Sequence, residues 1–138
     1  MKRRPFIAGN WKMHKTVEEA KALASGLREG LSDVDPEVME LAVCPTATAL
    51  YVVSQTLEDS NIGVGAQNMY WEKEGAYTGE ISPPMVKELA GYIIIGHSER
   101  RQYFGETNKT VNKRIKAALA HDLIPIVCIG ESLEQNEA

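Results

Sequence analysis

The chain of 138 residues is 43% hydrophobic and 25% charged, which supplies a buried core and sets it apart from a disordered tail. Fifteen Lys and Arg against nineteen Asp and Glu leave a net charge of -4, so no electrostatic footprint for nucleic acid is present. Cys44 and Cys128, far apart and each in an apolar run, argue against a disulfide framework or zinc cluster and fit a reducing, cytoplasmic setting; the basic start meets an apolar stretch broken at Asn10 and Lys12, so neither a signal peptide nor a membrane span is expected.

Apolar runs at 5–9, 41–44, 62–66, 92–96 and 124–129 predict five strands. They are nearly continuous rather than alternating, which predicts burial on both faces, as in a parallel sheet. After the first run, Thr16 and Glu19 form a T-x-x-E capping box ahead of Val17, Ala20, Leu23, Leu27 and Leu31 at helical spacing. Leu50, Val53 and Leu57 predict a second, shorter helix. Ser82-Pro83 opens a third, with a capping serine and a proline in the first turn. Ser98 is expected to cap a helix start after the fourth strand. Thr107 opens the fourth helix, in which Val111, Ile115 and Leu119 face inward while Lys109, Lys113, Arg114 and Lys116 form a solvated face. From Glu131 onward the chain reads as the first turn of another helix. This alternation predicts one parallel α/β domain over 1–138 with right-handed crossovers. The connection 67–82, carrying Tyr70, Trp71 and Tyr77, has neither a helical nor a strand period; a loop of that length is usually functional or covered by a partner.

In parallel α/β folds ligands gather at the carboxyl ends of strands. After the first strand, Asn10 and Lys12 stand two residues apart and would point the same way if the extended backbone continued, so that Lys12 meets an anion. An ordinary surface lysine is the alternative those residues leave open. After the fourth strand, His97 stands between a buried strand and a helix start, where helix amides favour a neutral imidazole that donates to a substrate carbonyl. A histidine that only caps or packs is the competing reading, with Glu99 and Arg101 as paired surface charges. Cys128, flanked by apolar residues, reads as a structural thiol rather than a nucleophile. No C-x-x-C, H-E-x-x-H, G-x-x-x-x-G-K-[ST] or G-x-G-x-x-G occurs, so ATP, dinucleotide and zinc chemistry have no support. A lysine, an asparagine, a neutral histidine and nearby carboxylates suit proton transfer beside a carbonyl on a small anion.

Four motifs then stand in one order: Gly9-Asn10-Trp11-Lys12-Met13, Gly65-Ala66-Gln67-Asn68, Gly75-Ala76-Tyr77-Thr78-Gly79-Glu80-Ile81-Ser82, and Gly96-His97-Ser98-Glu99-Arg100-Arg101. In these the chain resembles the triosephosphate isomerase family from about residue 4 to 134. The resemblance implies a TIM (β/α)8 barrel, present here as an incomplete barrel of about five parallel strands and four helices. It implies interconversion of dihydroxyacetone phosphate and glyceraldehyde 3-phosphate through an enediolate, in glycolysis and gluconeogenesis, with no metal and no cofactor. His97 and Lys12 would be catalytic, and Asn10, Trp11 and Lys12 would contact the substrate. Ser98, Glu99 and Cys128 would support the site. Gln67, Thr78, Glu80 and Arg101 would belong to the contact with a second subunit in a homodimer.

Departures accompany the match. A TIM barrel typically takes ~250 residues, and this sequence reaches Ala138 just after its fifth strand. The resemblance places the family's general-base glutamate, its mobile lid and its glycine-rich phosphate cradle beyond that strand, so the isolated chain is expected to be impaired; the alternative is a non-catalytic fragment that binds or assembles. Five strands cannot close a barrel, which predicts two unpaired edges and exposed interior side chains. Thr46-Ala47 replace the family's usual proline and bulkier residue, and the segment 89–92 is one residue short. Asp122 stands where a helix-ending glycine is common, so a left-handed conformation there would cost roughly 1 kcal/mol relative to glycine.

Overall fold

The structure, a computed structural model, describes residues 2–138. Five strands, β1 (Phe6–Asn10), β2 (Glu40–Cys44), β3 (Ile62–Ala66), β4 (Tyr92–Ile95) and β5 (Ile124–Val127), form one parallel sheet in the order of the sequence. Phe6 lies opposite Glu40, Leu41 opposite Ile62, Gly65 opposite Tyr92 and Tyr92 opposite Ile124. All carboxyl ends therefore open on one edge. The turn before β4 keeps this register, because the Gly91 N–H donates to the Val64 carbonyl and the Gly91 carbonyl accepts from the Ile124 N–H.

Six helices fill the connections among the described residues: α1 (Val17–Gly30), α2 (Ala47–Thr56), α3 (Pro83–Leu89), α4 (Ser98–Tyr103), α5 (Asn108–Ala120) and α6 (Leu133–Glu137). The Thr16–Glu19 capping box forms, Ser82 caps α3, and Thr107 caps α5 in a second box with Thr110. Four helices were expected. The helix start after β4 is a separate short helix, split from α5 where Gly105 takes a positive φ of 70°; α6 is the turn foreseen from Glu131 onward, capped by Ser132. Ser98 is not the cap of α4: His97 is, and its Nδ1 accepts from the Glu99 N–H at 3.1 Å. The strand ends at Ile95 and the left-handed Gly96 turns the chain one residue early.

Alternate residues of the inner strands, among them Leu41, Val43, Val64, Ile93 and Ile95, face the helices and form the core with Leu50, Val53, Val86 and Val111. Ala20 and Ala24 of α1 are buried; their small side chains let that helix pack closely on α2. Burial on both faces holds for β2 to β4 only. Phe6, Ile7, Ile124 and Val127 are exposed because β1 and β5 are the ends of the sheet. On the face away from the helices, the rings of Phe6 and Tyr92 stack at 5.2 Å although two strands separate them. In a flat sheet those strands would run about 14 Å apart, so the sheet curls around this face. Gly63 makes room: a Cβ there would lie 2.7 Å from the Tyr92 ring. The Tyr92 hydroxyl crosses to Glu40, which also pairs with Arg4 at 3.2 Å.

The helical stripe of α5 differs from expectation at two positions. Leu119 is 60% exposed, at the far end of the helix, whereas Arg114 is only 7% exposed. Arg114 Nε donates to the Met69 carbonyl at 2.9 Å, and the guanidinium lies 5.0 Å from the centre of Trp71. Its charge meets Glu106, which is buried and also paired with Arg100. The loop 67–82 has no helix or strand, as expected, but is ordered by this contact, by Tyr70 packed on Trp71 and Tyr77, and by Lys113 over Trp71. No described helix is long and apolar enough to cross a membrane.

Candidate active site

The carboxyl ends of the strands surround a cleft of about 360 Å³. Asn10 and Lys12 enter it from the end of β1, Gln67 from the end of β3, and His97 and Glu99 from the end of β4. Lys12 does not extend the strand. Its φ of 55° is left-handed, a conformation that costs roughly 1–2 kcal/mol in a residue with a Cβ. Two side-chain amides hold it there: Asn10 Oδ1 accepts from the Lys12 N–H at 2.9 Å, and Gln67 Nε2 donates to the Lys12 carbonyl at 2.8 Å. The same Gln67 nitrogen donates to the Cys44 carbonyl at 2.9 Å, so one amide ties β3 to the ends of β1 and β2.

Glu99 brings Lys12 and His97 together. Its Oε1 lies 2.7 Å from Lys12 Nζ and its Oε2 lies 3.6 Å from His97 Nδ1. Lys12, donating to this carboxylate, holds Glu99 below the usual glutamate range; burial works in the other direction. His97 is partly buried, and its Nδ1 lone pair is taken by the Glu99 amide. In the neutral ring the proton then sits on Nε2, which is left as a donor. The Glu99–Arg101 pair of the competing reading does not form, because Glu99 is committed to Lys12 and Arg101 bonds to the carbonyls of Gly96 and Cys128 and to Asn108.

Other predicted site residues lie around this centre. Trp11 does not line the cleft; it packs against the core, and its backbone N–H donates to the Cys44 carbonyl. Ser98 is exposed in the first turn of α4, with no side-chain hydrogen bond among the described residues. Cys128 is half-buried behind β5 and its thiol is raised by burial, while Cys44 is fully buried and pushed up to about 11. Both thiols are therefore poor nucleophiles. Glu80 stands on the rim of the cleft and Thr78 is exposed on the same loop. Among the described residues no group of three or more potential metal ligands occurs.

A family model described as triosephosphate isomerase matches residues 5–138. The chain belongs to the triosephosphate isomerase family. It is 58% identical over 136 residues to a triosephosphate isomerase of Clostridium botulinum (strain Loch Maree / Type A3), covering 98% of this chain and 54% of that protein. A triosephosphate isomerase of Moorella thermoacetica is 55% identical over 137 residues, again with 54% of its length matched. The crystal structure of triosephosphate isomerase from Bartonella henselae superposes with a TM-score of 0.89 at 40% identity, over 98% of this chain and 55% of that one. The chain thus spans about half the length of the curated relatives it matches, and its five parallel strands with their helices are part of a TIM barrel.

Sequence reasoning missed the bridging amide of Gln67, the three-way bonding of Arg101 and the buried Arg100–Glu106–Arg114 cluster. Gln67 carried a usable signal, since it directly follows a buried strand on the edge where ligands gather. Arg101 and Arg114 carried none: each has a backbone carbonyl far along the chain as a partner, Cys128 and Met69, 27 and 45 residues away.

Proposed function

We propose that the cleft binds a phosphorylated triose and serves the interconversion of dihydroxyacetone phosphate and glyceraldehyde 3-phosphate. One observation carries this reading beyond family membership: the Lys12 ammonium and the His97 ring are set in one cleft on opposite oxygens of the Glu99 carboxylate. In it, His97 Nε2–H polarises the substrate carbonyl and meets the charge that develops on its oxygen. Lys12 balances the phosphate and the enediolate, Asn10 presents its Nδ2 to the substrate while its Oδ1 holds the Lys12 backbone, and Glu99 sets the spacing of the two groups. The reaction also needs a base for the carbon-bound proton. Glu99 is unsuited, because an acid stabilised as its anion by Lys12 is a weak base. Glu131 accepts from Asn136 Nδ2 and does not line the cleft. The base is therefore assigned to the family's glutamate beyond a sixth strand. The exposed loop residues Thr78 and Glu80 suit a contact with a second subunit, and two unpaired thiols suit a cytoplasmic protein.

A coupled isomerase assay tests this. The chain alone is expected to show turnover near a denatured control, and refolding it with a polypeptide carrying the rest of the Clostridium botulinum relative should restore turnover. Restored turnover that is unchanged by Lys12→Gln and by His97→Gln in this chain would refute the assignment.

A further inference from the structure

Arg101 stands in α4, four residues past His97, and its guanidinium touches no carboxylate among the described residues. Nε donates to the Gly96 carbonyl at 2.7 Å, Nη1 to Asn108 Oδ1 at 2.8 Å, and Nη2 to the Cys128 carbonyl at 3.4 Å. The Gly96 carbonyl and the His97 N–H are two ends of one planar peptide unit, so a side chain that holds the oxygen also sets the plane from which His97 leaves the strand. The guanidinium also lies against the turn itself. Gly96 has a φ of 73°, and a Cβ there would lie 2.9 Å from Arg101 Nη2 and 3.0 Å from a Val111 methyl. The guanidinium thus packs directly on the left-handed turn that makes His97, rather than Ser98, the cap of α4. Through Cys128 and Asn108 it also anchors that turn to the end of β5 and the start of α5. Lysine could supply the charge but not a planar fork that reaches three acceptors at once.

We propose that Arg101 is a positioning residue for His97: by fixing the Gly96–His97 peptide it keeps the ring with Nδ1 on the Glu99 amide and Nε2–H free for the cleft. This rests on reading His97 as the group that polarises the substrate carbonyl. It is distinct from a role for Arg101 in subunit contact, since three of its donors are spent within the chain.

Long-range proton–nitrogen spectra of the whole chain with labelled histidine test the placement without any ligand. The unsubstituted chain should show His97 as one fixed tautomer, protonated on Nε2. Arg101→Lys should mix the two tautomers at His97. His121, whose Nδ1 lies 2.9 Å from the Ala117 carbonyl at the far end of α5, is the internal control, because general loosening would move its signals too. Arg101→Met gives a second variant, and circular dichroism verifies that each is folded. Titration with glycerol 3-phosphate of the chain refolded with the polypeptide carrying the rest of the Clostridium botulinum relative should then give a Kd about tenfold weaker in Arg101→Lys, the scale of one charge-assisted hydrogen bond to a site. A His97 tautomer unchanged in the folded variants, or His97 and His121 disturbed together, overturns the proposal. Failure of the refolded complex with the unsubstituted chain to bind glycerol 3-phosphate, with the tautomer result intact, would instead overturn the functional reading and leave the placement of His97 standing.

Discussion

Replacing Arg114 with methionine removes one cation from a cluster that is out of water. Its Nε bond to Met69 is charge-assisted and contributes about 1.5–3 kcal/mol, and the cation over Trp71 adds about 0.5–1 kcal/mol. The pair with Glu106 is longer, at 3.4 Å, and Arg114 Nη1, Arg100 Nε and both Glu106 oxygens complete no aligned hydrogen bond among the described residues; the contact is Coulombic. Arg100 remains to balance Glu106, and methionine regains some apolar packing, so the net loss should be about 3 kcal/mol, at the low end for breaking a buried ion pair. Urea denaturation measures it. With the slope unchanged, the midpoint of Arg114→Met should fall by about 3 kcal/mol divided by that slope. Arg114→Lys should recover part of the charge effect but not the bond to Met69. A loss within about 0.5 kcal/mol, the scale of ordinary surface substitutions, would show that the side chain is solvated, as the helical period first indicated.

Carboxyl-carbon titration should place the Glu99 midpoint below the usual glutamate range because Lys12 stabilises its anion, so the pair persists above the unfolded carboxylate range and is lost as pH falls through the lowered value; Lys12→Gln should raise the midpoint, and equal midpoints would contradict the contact. Tyr92 is pushed up to about 12 by burial first and by its bond to Glu40 second; its contribution to stability is complete below pH 10 and declines as pH rises from 10 to about 12. Absorbance titration should show Glu40→Gln lowering that midpoint while leaving it above 10, and no difference would refute the pairing. Asp122→Gly relieves a left-handed φ of 57° and keeps the backbone carbonyl that Lys87 binds, so thermal melts should show a gain of about 0.5–1 kcal/mol; a loss would mean that the aspartate side chain stabilises the turn.

The order of strands was legible because each apolar run is short, contains β-branched residues and is separated from the next by helix caps, and the same caps located α1, α3 and α5. Cleft membership of Asn10, Lys12 and His97 followed from their positions just after strands. What stayed hidden depends on single dihedral angles or distant partners. Gly96 and Gly105 take positive φ values that moved a cap by one residue and split off a helix, and sequence spacing does not fix which glycine turns. Lys12 reaches the cleft through a left-handed bend held by Gln67, 55 residues away, rather than through a continued strand. Arg114 occupied a polar position in a helical repeat, and only the loop 67–82 folding over it supplied the carbonyl and ring that bury it.

Chemical-shift titration of the lysine and histidine side chains with glycerol 3-phosphate addresses the shared cleft most directly. The Lys12 ammonium and the His97 ring should shift together, with one saturation curve, and Lys12→Gln should abolish the response at His97. Shifts confined to one of the two, or two different curves, would contradict a single site.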